Sequence, residues 1–144
     1  MNLDDTFDLD RFVSAQENVY QTALEEIGSG RKQGHWMWFI FPQITGLGST
    51  EISRLYAIKS REEAVAYLEH PVLGPRIREI SEVLLTQDDK SATEILGTPD
   101  DLKLRSSMTL FKSVSTDNDV FLNVLDRYYG GEEDPQTFRI LSEM

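Results

Sequence analysis

The residues best suited to chemistry in this sequence crowd into two short stretches. The first, GHWMWFIFPQ at positions 34–43, sets an imidazole (His35) and a carboxamide (Gln43) at the two ends of six large apolar side chains. An imidazole titrates at about pH 6.5 when unperturbed, which makes His35 the candidate catalytic acid or base. Trp36 and Trp38 each offer a flat π-face on which a nucleobase or sugar can stack, and an N–H that needs an acceptor when buried. The second stretch, KLRSSMTLF at 103–111, places Lys103, Ser106 and Ser107 near one face of a helix. Leu104, Met108 and Phe111 form its core stripe. Hydroxyls in mid-helix are neutral to unfavourable for helix formation, so something beyond propensity retains them.

Between these stretches lies GLGST, residues 46–50, ahead of the helical run EISRLYAI. Gly46 and Gly48 can free backbone amides to cradle an anion. The motif has neither the lysine of a P-loop nor a preceding strand, so it is weak on its own. Gln16, on the first amphipathic run, completes the ligand-binding set: Gln16, Trp36, Trp38, Gln43, Gly46, Gly48, Lys103, Ser106 and Ser107. No metal site is expected. The chain has two histidines 35 positions apart, no cysteine and no D-x-D-x-D loop. A Ser-His-Asp set can be written from Ser107, His35 or His70, and Asp101, but G-x-S-x-G is absent.

Each of these features has a plainer use. The aromatic block can be core, His35 a backbone-bonding imidazole, and His70 the end of a helix. GLGST can be a turn with a Ser49 or Thr50 cap, and the serines of 103–111 can allow close helix packing. Both uses remain open at the level of sequence.

The elements that must position these residues are helical. In DLDRFVSAQENVYQTALEEIGSG the apolar positions Leu9, Phe12, Val13, Val19, Tyr20, Leu24 and Ile27 recur at three- and four-residue spacing, with Thr6 or Asp8 as cap. Ser60 with Glu63 and Ser91 with Glu94 read as capping boxes. GPRIREISEVLLTQ carries an apolar stripe, and Thr98 with Pro99 opens the run through Val114. DNDVFLNVLDRYY is amphipathic, and Asp134-Pro135 opens a last short helix. The segment WMWFIF lacks period-two alternation and has no partner strand, so it reads as a short buried helix or an extended connector. Pro42 disfavours helical geometry at Phe41 and ends it. The expected fold is all-α: a compact bundle of about seven short helices forming one domain over 1–144, with a buried aromatic segment at 35–42.

Charge narrows the partners. The formal net charge is -11, and residues 1–30 and 114–144 each hold seven acids, against one and two bases respectively. Residues 31–113 balance at eleven of each. Acidic flanks repel phosphate backbones, so nucleic acid is not an expected partner, and the neutral middle is where an anion is tolerated. No run approaches the roughly 20 apolar residues of a membrane span, the start MNLDDTFDLD lacks the basic opening of a signal peptide, and cysteine is absent. A cytoplasmic, membrane-free protein is expected, as monomer or homodimer.

The runs RFVSAQ, GRKQGHWMWFIFPQITGLGST, YLEHPVLGPR and DDLKLRSSMTLF together resemble a family of small bacterial proteins, the domain-of-unknown-function family 1810. The resemblance spans about Leu9 to Leu141. It implies a compact, mostly helical domain and brings no established reaction. Some members carry the label calpastatin, although that inhibitor is repetitive and largely disordered, unlike this patterned and capped chain. The resemblance carries over Arg11, Gln16, His35, Trp36, Trp38, Pro42, Gln43, Gly46, Gly48, His70, Pro71, Gly74, Arg76, Lys103, Ser106, Ser107, Thr109 and Phe111. The reading that follows is a protein that binds, or binds and acts on, a small anionic or nucleotide-like ligand in a pocket lined by His35, Gln43 and Lys103, with no cofactor. The alternative is a non-catalytic interaction or regulatory module.

Overall fold

The computed structural model describes residues 5–87, 89–117 and 119–144. Among them the fold is all-α, and the elements follow the amphipathic runs. They are α1 (Asp10–Gln16), α2 (Tyr20–Gly28), α3 (Met37–Ile40), α4 (Glu51–Leu55), α5 (Arg61–Glu69), α6 (Leu73–Leu84), α7 (Ala92–Leu96), α8 (Asp100–Val114), α9 (Asp119–Tyr129) and α10 (Pro135–Ser142). Extended pairing among the described residues is confined to one parallel bridge, Ile44 with Ile58.

Ten helices stand where about seven were expected, for three local reasons. The first amphipathic run divides at 17–19, where Glu17 and Val19 donate to Ser14 and Gln16 in tight three-residue turns. Phe12, Gln16, Tyr20, Ala23 and Ile27 are nonetheless all buried, so one apolar stripe continues through the break. The aromatic block coils into the single turn of α3, and Phe41 leaves it at φ -126°, ψ 74°, outside the helical region that its following proline disfavours. The segment after GLGST forms α4, capped by the Thr50 side chain on the Ser53 amide.

The caps differ in detail from the sequence pattern. Ser91 and Glu94 form a complete capping box at α7. At α5, Ser60 accepts from the Glu63 amide, but the Glu63 carboxylate reaches the Lys59 amide and Arg11 instead of closing the box. The start of α1 is held by Asp5, whose carboxylate accepts from the Leu9 and Asp10 amides, in place of Thr6 or Asp8. The residue before α8 is Pro99, and Thr98 does not cap it.

The centre is α8, against which α5, α7, α9 and α10 pack. Leu104, Met108, Leu110 and Phe111 are fully buried on it, and one continuous apolar cluster runs from Leu9 to Leu141. Arg11 fastens α1 to this body. Its guanidinium donates to the carbonyls of Phe7, Asp8, Leu55 and Ala57 and pairs with Glu63 at 2.6 Å. Among the described residues no helix is long and apolar enough to cross a membrane.

Candidate functional site

The two tryptophans of the aromatic block have opposite fates. Trp36 is 1% exposed, and its indole N–H donates to Glu26 Oε1 at 2.9 Å. The same oxygen accepts from the amides of Gln33 at 2.8 Å and Gly34 at 2.9 Å. Burial pushes the Glu26 carboxyl up. The Gly34 and Gln33 amides, the Trp36 indole and the Lys32 charge outweigh it and hold the group below its usual value. Trp38, two residues on around the turn of α3, is half-buried and its N–H finds no acceptor among the described residues.

Trp38 lies in a groove of about 690 Å³, within the range of roughly 300–1,000 Å³ typical of small-ligand sites. One wall is the loop from Gln43 through Leu47, Gly48, Ser49 and Thr50 into α4. A second is the start of α8, with Pro99, Leu102, Lys103 and Ser106. The third is the start of α10, with Asp134, Pro135 and Gln136. Gly48 is required by close approach: a Cβ there would stand 2.5 Å from Ser53 Oγ. Gly46, at φ +97°, lines an adjoining recess of about 20 Å³, room for about one water, that shares Trp38, Gln43 and Gly48 with the groove.

The polar lining is unevenly satisfied. The Gln43 carboxamide makes no hydrogen bond among the described residues. Ser106 Oγ, in contrast, is placed between the Leu102 carbonyl at 3.2 Å and Asp134 Oδ2 at 3.3 Å. That Asp134 oxygen also accepts from the Thr137 amide and hydroxyl, as the cap of α10. Lys103 Nζ stands 5.2 Å from the centre of the Trp38 ring and 3.4 Å from Asp100 Oδ1. Asp100 Oδ2 is 2.9 Å from Lys32 Nζ, which in turn lies 5.2 Å from the Trp36 ring centre. Arg105 also lines the groove, with its guanidinium on the carbonyls of Glu132 and Glu133.

The structure thus brings Trp38, Gln43, Gly48, Lys103 and Ser106 to one groove, with Gly46 beside it. His35 does not join them. The Glu26 carboxylate holds Gln33, Gly34 and Trp36 toward α2, which leaves the intervening His35 exposed to solvent and outside the groove. Gln16 is spent inside the core: its amide donates to the Phe39 carbonyl at 2.8 Å and the Tyr67 hydroxyl at 3.2 Å, and its oxygen accepts from Arg76. Ser107 also turns away from the groove. Neighbours on a helix point about 100° apart, so with Ser106 toward the groove Ser107 rotates into the core, where its hydroxyl is fully buried with no hydrogen-bond partner.

No Ser-His-Asp set is assembled. Ser107 bonds nothing, Asp101 accepts from Thr93, and His70 Nδ1 accepts from the Val72 and Leu73 amides. His70 thus closes α5 and its side chain serves the start of α6 as an acceptor. Among the described residues no three His, Cys, Asp or Glu side chains cluster as metal ligands.

No motif in the sequence marks Asp100, Arg105, Asp134 or Gln136 as a site residue. Only Asp100 left a signal, its three-residue spacing to Lys103 on a helix. Asp134 was legible as a cap and not as part of a groove, because its neighbours there come from α8.

Fold and groove together define a small helical domain with one side open between the loop after α3, the start of α8 and the start of α10. The chain belongs to the family described as Protein of unknown function (DUF1810), matched over residues 6–141. It is similar to a solved structure, the conserved hypothetical protein Rv1873 from Mycobacterium tuberculosis. The identity is 51% and the TM-score 0.95, over 96% of this chain and 99% of that one. No curated protein gives a significant match.

Proposed function

We propose that the groove between α3, α8 and α10 binds a small anionic, nucleotide-like molecule. The observation that carries this reading is the meeting of Trp38 and Gln43, neighbours in the aromatic block, with Lys103 from a distant part of the chain. The first two bring polar groups without a hydrogen-bond partner among the described residues. Neither residue is fully buried, so these groups stay open to water or to a ligand that takes its place. The proposed task is recognition. His35 lies outside the groove, and the carboxylate that does line it, Asp134, already accepts from Ser106 and Thr137. A role for His35 as catalytic acid or base has no support from its position.

Thermal-shift and tryptophan-fluorescence titrations against nucleoside phosphates and sugar phosphates test the proposal. A saturable response in the wild type, lost in Lys103→Ala and Gln43→Ala variants that still fold, is the expected result. A flat response across the panel would remove the reading.

A non-catalytic interaction module is the second reading. It draws on apolar side chains at and near the groove rim, Leu102 at 55%, Leu55 at 53% and Ile52 at 37% exposure. Light scattering and co-purification address it: a strict monomer that retains no partner would count against it.

A further inference from the structure

We infer that the groove takes a two-part ligand, a planar aromatic ring joined to one compact anion such as a phosphate, and that the anion uncovers the Trp38 ring for the aromatic part. This deepens the binding reading above and rests on it. With Lys103 Nζ 5.2 Å from the ring centre, the indole face it covers is closed to another ring. The ammonium is also tied, at 3.4 Å, to Asp100 Oδ1. Asp100 is shared, however, and its shorter contact, 2.9 Å, goes to Lys32, whose side chain is only 9% exposed.

The three charged groups carry one net positive charge. An anion entering the groove draws on the lysine held by the longer contact. When Lys103 moves, Asp100 stays neutralised by Lys32, so no largely buried carboxylate is left alone. The vacated indole face then accepts a ring by stacking. Gln43 and the Trp38 N–H are placed to meet the ring edge or its sugar. A nucleoside monophosphate has this composition, whereas a nucleoside lacks the group that displaces Lys103 and a sugar phosphate lacks the ring. Lys32 lies outside the groove and is a positioning residue, acting through Asp100.

Fluorescence titrations with inorganic phosphate, adenosine and adenosine monophosphate decide it, on wild type, Lys32→Met, Asp100→Asn and Lys103→Met, with Trp38→Phe as the subtraction control. Phosphate alone should increase acrylamide quenching of Trp38. Adenosine monophosphate should bind at least about tenfold more tightly than adenosine, and Lys103→Met should abolish that preference. Lys32→Met should weaken nucleotide binding about threefold, because Asp100 then holds Lys103 alone, while Asp100→Asn strengthens it about threefold by releasing Lys103. Each variant loses the same Lys32–Asp100 contact, so a merely structural role would move both in one direction. Equal binding of nucleoside and nucleotide by the wild type, or shifts of the same sign in the two variants, would overturn this inference and leave groove binding intact. Failure of all three compounds to bind the wild type would remove both.

Discussion

At the scale of single residues, the arrangement turns on a few carboxylates that each hold several partners. Glu26 is the clearest. Its folded value is depressed, so the stability it contributes is fully present above its unfolded value of about 4.3 and is lost as pH falls through the lower, folded value. Glu26→Gln should therefore lower Tm at neutral pH, and the gap from wild type should narrow as pH falls below the unfolded value. A gap that stays constant across Tm scans in this range would show that the charge is not what Glu26 contributes. Glu63 is 2% exposed and pairs with Arg11. Glu63→Ala leaves that guanidinium uncompensated and should cost about 3–5 kcal/mol in denaturant unfolding. The Arg11→Ala, Glu63→Ala double variant should cost less than the two single changes added together.

At the scale of elements, the close approach of α5 and α6 depends on Gly74. A Cβ there would lie 2.1 Å from the backbone oxygen of Leu68, which cannot swing aside as a side chain does. Gly74→Ala should cost about 3 kcal/mol or more, near the upper end of overpacking penalties. Gly28, at the end of α2, is the control. Its Cβ would meet Val83 Cγ1 at 3.8 Å, an ordinary contact, so Gly28→Ala should be neutral or stabilise by about 0.4–1 kcal/mol. Chemical denaturation of the two variants side by side checks this, and equal effects would contradict the geometry.

Across the whole molecule, the excess negative charge belongs to the two ends of the sequence while the groove lies within its balanced middle, together with the start of α10. Self-repulsion among the flanking acids opposes compaction. Raising salt from about 10 mM to about 150 mM shortens the screening length from about 30 Å to about 8 Å and should raise Tm. A fall in Tm would mean that the local pairs, such as Lys32 with Asp100, outweigh the long-range repulsion.

The fold class was legible in the sequence because helix formation is written in neighbouring residues. The three- and four-residue apolar spacing, the Ser91–Glu94 box and the proline after Phe41 each act within a turn or two, and each operates in the structure. The aromatic block could likewise be read as a short buried helix. What the sequence could not assign was the direction of each polar side chain within that frame. Trp36 and Trp38 are chemically identical, yet Glu26 of α2 claims one indole and leaves the other to the groove. Gln16 and Gln43 divide in the same way, one bonded to Phe39, Tyr67 and Arg76, the other bare. His35 and Gln43 border the same apolar run, but the Glu26 contacts leave the first in solvent while the second lines the groove. Those outcomes depend on partners 7 to 60 positions away, brought near only by the packing of helices, and so tertiary structure alone decided them.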